Sequence, residues 1–132
     1  ATGSVECWGR NSNGGLGDGT TTQRLTPVAV TGLGGSAVAI GLGTSHSCAL
    51  LATGSIECWG NNNRAQLGEG TTTNRLTPVA VTGLGGSVVS MAVGFCHACA
   101  VLAAGSVECW GYNHQGQLGD GTTINRNTPV DP

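Results

Sequence analysis

Gly3-Ser-Val-Glu-Cys-Trp-Gly9 returns as Gly54-Ser-Ile-Glu-Cys-Trp-Gly60 and again as Gly105-Ser-Val-Glu-Cys-Trp-Gly111, each time 51 residues further along the chain. Laid on residues 52–102, residues 1–51 agree at 34 positions, and residues 103–132 repeat the first 30. A period near 50 residues marks stacked supersecondary units, none of which can bury its apolar face alone. The 132 residues thus form about two and a half copies of one unit, in a chain the size of a single domain.

Outward from the heptapeptide, one unit resolves into four strands. Ala37-Val-Ala-Ile-Gly-Leu42 alternates small and large side chains, as a tightly packed inner strand does. After a turn at residues 43–45, residues 46–51 form a second strand with Cys48 and Leu50 on one face. Residues 52–55 suit a hairpin turn. Residues 55–59 are a third strand, with Ile56 and Cys58 on one face and Glu57 and Trp59 on the other. Residues 60–70 are a polar loop rich in Asn and Gly, and residues 77–81 a short fourth strand whose Pro78 suits an outer edge. No stretch carries a sustained 3.6 period with caps, so little or no helix is expected. Four short antiparallel strands per unit with Gly-rich links predict an all-β fold of β-propeller blades.

Composition narrows the function classes. Charged residues are 9% of the chain, against roughly 25% in ordinary soluble domains. Lys is absent, the five Arg are scattered, and the net charge is −2. Phosphate backbones are bound by clustered Lys and Arg, so no nucleic-acid partner is expected. No apolar run approaches the roughly 20 residues that span a bilayer, so no membrane insertion is expected. No charged n-region followed by an apolar h-region is visible, and a chain beginning at Ala1 reads as processed, excised or part of something longer.

The strings Gly43-Thr-Ser-His-Ser-Cys-Ala-Leu-Leu51, Gly54-Ser-Ile-Glu-Cys-Trp-Gly60, Gln66-Leu-Gly-Glu-Gly-Thr-Thr72 and Arg75-Leu-Thr-Pro-Val79 recur along the chain. Together they resemble regulator-of-chromosome-condensation repeats over essentially every residue. The cysteine-bearing form resembles secreted bacterial members, which implies an extracellular location. The resemblance implies a closed ring of blades in which the inner strand opens each blade. On that phase residues 37–81 are one blade, residues 88–130 another, and residues 1–30 the outer half of a third. Two and a half blades cannot close a ring, and each end of the stack needs a neighbour. Either the chain is a segment of a longer propeller or copies associate as a homo-oligomer.

Cys7, Cys58 and Cys109 share one repeat position, and Cys48 and Cys99 another. A hairpin turning at residues 52–55 brings Cys48 opposite Cys58, and the same geometry brings Cys99 to Cys109. Disulfides Cys48–Cys58 and Cys99–Cys109 are predicted, and such bonds fit an oxidising compartment. Cys7 is left waiting for a residue of an inner strand that the chain lacks, and Cys96 has no repeat counterpart. Both are unpaired or interchain candidates. Cys96-His-Ala-Cys99 has the form of a redox or zinc motif, but residues three apart on a strand point to opposite faces. No second Cys/His pair completes a metal site, so no metal or other cofactor is expected.

Catalytic residues are not expected either. His46 and His97 occupy one repeat position, where a hydrogen bond to backbone at a blade turn is the simplest role. Glu6, Glu57 and Glu108 repeat identically, as do Asp18, Glu69 and Asp120, whereas an acid/base dyad needs two unlike environments. Asp-Gly-Thr-Thr instead offers an acceptor to the following backbone N–H groups. Trp8, Trp59 and Trp110 suit packing between blades. Ultraviolet photoreceptors of the family carry Trp clusters at the position of Thr44 and Phe95, so photoreception is not implied.

Repeats also show where the chain is free to differ. Mismatches gather in the loop after Cys-Trp-Gly and in the inner strand with its following turn. Equivalent loops of successive blades rise on one face, where binding residues are held by a rigid scaffold. Arg10, Asn11, Asn13, Asn61, Asn63, Arg64, Phe95, Tyr112, His114 and Gln115 are the candidates, with Arg, Tyr and Phe the types enriched in interface cores. The expectation is an extracellular, non-enzymatic scaffold that binds a protein partner through one face. The alternative is a structural protein whose copies join through unfilled blade ends into a ring or filament.

Overall fold

Strand-forming Val, Ile, Thr, Cys and Trp alternate with small residues between Gly-bearing turns, and the backbone follows that pattern. The computed structural model describes residues 3–132, so residues 1 and 2 of the expected half-blade lie outside it. Ten strands run in order: β1 (Glu6–Gly9), β2 (Arg24–Ala29), β3 (Ala37–Leu42), β4 (His46–Leu51), β5 (Ile56–Gly60), β6 (Arg75–Ala80), β7 (Val88–Val93), β8 (His97–Leu102), β9 (Val107–Gly111) and β10 (Arg126–Val130). They build two four-stranded sheets, β3-β4-β5-β6 and β7-β8-β9-β10, and a two-stranded sheet, β1-β2. All pairings are antiparallel. The fold is all-β, with about two and a half propeller blades.

The central hairpin of each blade sets the cysteine register. Cys48 stands opposite Cys58 and Cys99 opposite Cys109. Disulfides join both pairs across Cα separations of 4.0 and 4.1 Å. Cys7 and Cys96 are free thiols, each half-buried.

Alternation on each strand decides which blade a side chain meets. Cys48, Leu50, Ile56 and Cys58 face forward onto Ala98, Ala100, Leu102 and Trp110 of the next blade. Ala49, Leu51 and Trp59 face back onto Cys7, Val30 and Leu33. A fully buried large apolar side chain contributes roughly 1.5–3 kcal/mol. A single net hydrogen bond contributes about 1 kcal/mol, so burial holds the junctions and hydrogen bonds orient them.

The tryptophans are the clearest instance. Trp59 and Trp110 are about 1% and 0% exposed. Each indole Nε1–H donates at 3.0 Å across a junction, Trp59 to the Gly15 carbonyl and Trp110 to that of Gln66. Trp8 departs from this pattern: it has no blade behind it among the described residues and is 63% exposed. Beneath Trp110 the chain turns through Gly68 at φ +67, where a Cβ would lie 2.7 Å from the indole. Gly17 has the same relation to Trp59.

Candidate functional site

The loops that follow β1, β5 and β9 are held from inside by one asparagine each. The Asn62 side-chain amide donates to the carbonyls of Thr71 and Thr73 and to Glu69 Oε1, at 2.9–3.0 Å. Its Oδ1 accepts the Leu67 N–H at 3.0 Å. Asn11 and Asn113 repeat this arrangement, with Leu16 and Leu118 as the N–H donors. The structure therefore corrects the assignment of Asn11 to a binding surface: it is 2% exposed and its amide is spent inside the loop. Its recurrence in all three copies, unlike the other candidates, was the available signal.

A carboxylate closes each loop. Asp18, Glu69 and Asp120 each accept the backbone N–H and the hydroxyl of the threonine two residues on. Each also pairs with an arginine: Arg24 at 2.9 Å, Arg75 at 2.8 Å and Arg126 at 2.7 Å. The turn role expected of these carboxylates is present, and the arginine partners are an addition. Burial raises the Asp18 carboxyl, but the hydrogen bonds from Thr20, Arg24 and Asn11 outweigh it and hold the group down at about 2. Asp120 lies lower than usual because Thr122 and Arg126 donate to it, and Glu69 is lowered by Thr71 and Arg75 against its own burial. Glu57 and Glu108 accept from the N–H groups of Gly34 and Gly85, tying each blade to the linker before it.

With the loops fixed, the remaining candidates come to one face. The turns between β3 and β4 and between β7 and β8 reach the same face, because Asn61 N–H donates to the Ser45 carbonyl and Tyr112 N–H to that of Cys96, both at 2.9 Å. Across the junction the Arg64 guanidinium lies 4.7 Å from the Tyr112 ring centroid, within cation–π range. The His114 ring centroid stands 4.6 Å from that of Tyr112, with the two ring planes tilted by 48°. Phe95, 76% exposed, crowns the β7–β8 turn. Asn63, Arg64, His114 and Gln115 are exposed, and Asn13, Asn61 and Tyr112 half-buried. Arg10 and Asn13 sit apart, lining a small hollow with Thr44 and Ser45.

His46 and His97 differ from expectation. Neither ring nitrogen of the buried His46 finds a hydrogen-bond partner, nor does Nδ1 of His97. Burial, with the neighbouring His97, pushes His46 down to about 4, and burial lowers His97 too. A neutral imidazole packed as an apolar body accounts for both. No group of three or more His, Cys, Asp or Glu among the described residues is placed to hold a metal ion. No helix among them is long and apolar enough to cross a membrane.

The regulator of chromosome condensation (RCC1) repeat model matches residues 2–50, 54–101 and 104–131. A second model of that description matches residues 37–66 and 88–117. The chain is 37% identical over 121 residues to the ultraviolet-B receptor UVR8 of Arabidopsis thaliana, covering 90% of this chain and 28% of that protein. It is 36% identical over 124 residues to the human E3 ubiquitin-protein ligase HERC2, covering 91% of this chain and 2% of the ligase. Among solved structures, Prp20p from Saccharomyces cerevisiae, described with its binding to Gsp1p and histones, superposes at TM-score 0.81 with 21% identity, over 97% of this chain and 34% of that one. Human WBSCR16 superposes at TM-score 0.81 with 23% identity, over all of this chain and 35% of that one. The chain thus spans about a third or less of each.

Proposed function

The chain belongs to the regulator of chromosome condensation (RCC1) repeat family, and from that premise we propose that it is an extracellular, non-enzymatic scaffold binding a protein partner through the loop face. The observation that carries this reading is the Arg64–Tyr112–His114 cluster, built from loops of adjacent blades, with exposed Phe95 on a turn of the same face. Rigid aromatic and Arg side chains are the usual anchors of protein interfaces. Prp20p's binding to Gsp1p and histones supports a binding role for the fold. Two disulfides and a Lys-free surface support an oxidising location.

Alanine at Arg64 and at Tyr112, compared with wild type in pull-down from the native secretome, tests the face. Retention of captured partners should fall at least roughly tenfold, as loss of an interface anchor implies. Undiminished capture by both variants removes this face. Apolar ends favour a second reading, self-assembly: Val38, Ile40 and Leu42 are open at one end, Val101 and Val107 at the other. Sedimentation decides it, since a monomer at micromolar concentration ends the self-assembly reading.

A further inference from the structure

The loops after β5 and β9 belong to the two complete blades, and they carry few fixed charges. Arg64 and Glu69 lie in residues 61–74, and Asp120 in residues 112–125. Glu69 is paired with Arg75 and Asp120 with Arg126, and both carboxylates are buried. Arg64 is exposed and has no carboxylate partner among the described residues. Its backbone N–H is spent on Gln66 Oε1. The five N–H donors of its guanidinium make no hydrogen bond to any described residue.

Tyr112 holds Arg64 in place across the junction, 4.7 Å from ring centroid to guanidinium carbon. An aromatic face attracts a guanidinium without consuming its donors, so the fork that pairs a carboxylate stays free. Tyr112 is itself fixed by its N–H bond to the Cys96 carbonyl, and exposed Phe95 is the residue before Cys96. The unpaired carboxylates of these blades lie toward the other end. Glu57 and Glu108 stand three residues before the last residues of β5 and β9, about 10 Å along the strand. They accept the linker N–H groups of Gly34 and Gly85. Asp131 follows β10, whose loop end is Arg126 opposite Gly111. No unpaired carboxylate of the two blades therefore stands beside Arg64 to repel one from a partner.

We infer that this patch takes an acidic peptide segment of the protein partner, with one Asp or Glu carboxylate on the Arg64 guanidinium and an adjoining apolar side chain on Phe95. The inference rests on the loop-face reading and adds the chemistry of the occupant. A planar guanidinium matches a carboxylate with two parallel hydrogen bonds, which fixes register as well as charge. A sulfated or phosphate polymer fits less well, because polyanions are held by several cations in succession and these two loops offer one.

The test selects a phage-displayed random-peptide library on the immobilised whole chain, then titrates the enriched synthetic peptides by fluorescence anisotropy. Enriched peptides should carry Asp or Glu beside an apolar residue. Their affinity should fall at least roughly tenfold on Arg64→Glu, and less on Arg64→Lys, which keeps the charge but not the fork. Selection repeated on the Arg64→Glu chain should return peptides bearing Lys or Arg instead. Unchanged emission from buried Trp59 and Trp110 shows that each variant is folded. Tyr112→Ala and Phe95→Ala separate this inference from the reading beneath it. Peptides weakened by those two variants but lacking acidic residues, or indifferent to Arg64→Glu, overturn the inference and leave the loop face standing. Peptides indifferent to all these variants overturn both. Retention of the chain on heparin at physiological salt, lost on Arg64→Glu, assigns the patch to a polyanion and overturns the peptide.

Discussion

Replacing Asn62 by alanine should destabilise the chain by about 3–5 kcal/mol. Three acceptors lose their donor, namely the Thr71 and Thr73 carbonyls and Glu69 Oε1. The Leu67 N–H loses its acceptor. Leu67 and Asn62 are both fully buried, so water cannot substitute at that amide. An orphaned buried donor costs about 1–3 kcal/mol, and each lost net bond about 1 kcal/mol. Glu69 keeps Thr71 and Arg75, which limits the loss on that side. Urea unfolding followed by tryptophan emission measures the change, because Trp59 and Trp110 are buried reporters of both junctions. Asn63→Ala, at an exposed neighbour whose side chain makes none of these bonds, is the control and should stay within about 0.5 kcal/mol. If Asn62→Ala costs less than about 1 kcal/mol, the loops are not held by the asparagine.

Gly68→Ala should cost about 2–4 kcal/mol and shift Trp110 emission to the red, because left-handed backbone strain adds to the 2.7 Å clash. Gly70→Ala, with positive φ but open space around it, should cost only about 1 kcal/mol in the same urea titration. Converting Cys48 and Cys58 together to serine should cost about 3 kcal/mol by loop-closure entropy, given a separation of 10 residues. Intact-mass analysis of the unreduced double variant should then show the Cys99–Cys109 disulfide alone. Acid should weaken the fold through His46. Its folded pKa of about 4 lies below the ordinary 6.5, so only the unfolded chain takes up the proton in that window. That contribution is complete above pH 6.5 and falls away toward pH 4, by about 3 kcal/mol. His46→Gln should flatten the dependence of the urea midpoint on pH between those values, though His97 adds a smaller slope of the same sign.

How much was legible depends on how local each feature is. The disulfides follow from a turn and a two-residue period within one hairpin, so Cys48 and Cys58 could be paired on paper. The Asp18, Glu69 and Asp120 turns are equally local. Asn11 was misplaced because an asparagine in a polar loop looks solvated until the loop closes around it. His46 was expected to bond backbone at a turn, but the junction buries it without a partner.

The sequence by itself determined the repeat, the strand alternation, the cysteine register and hence the family and architecture, because these rest on spacings within a single unit. Only the tertiary structure decided what one unit does to the next. It gave Trp59 and Trp110, whose packing between blades the repeat already suggested, their carbonyl acceptors across the junctions, left Trp8 open and stacked Arg64 on Tyr112. Those outcomes depend on how twisted sheets stack on one another, a relation between residues nearly a full repeat apart that no local period encodes.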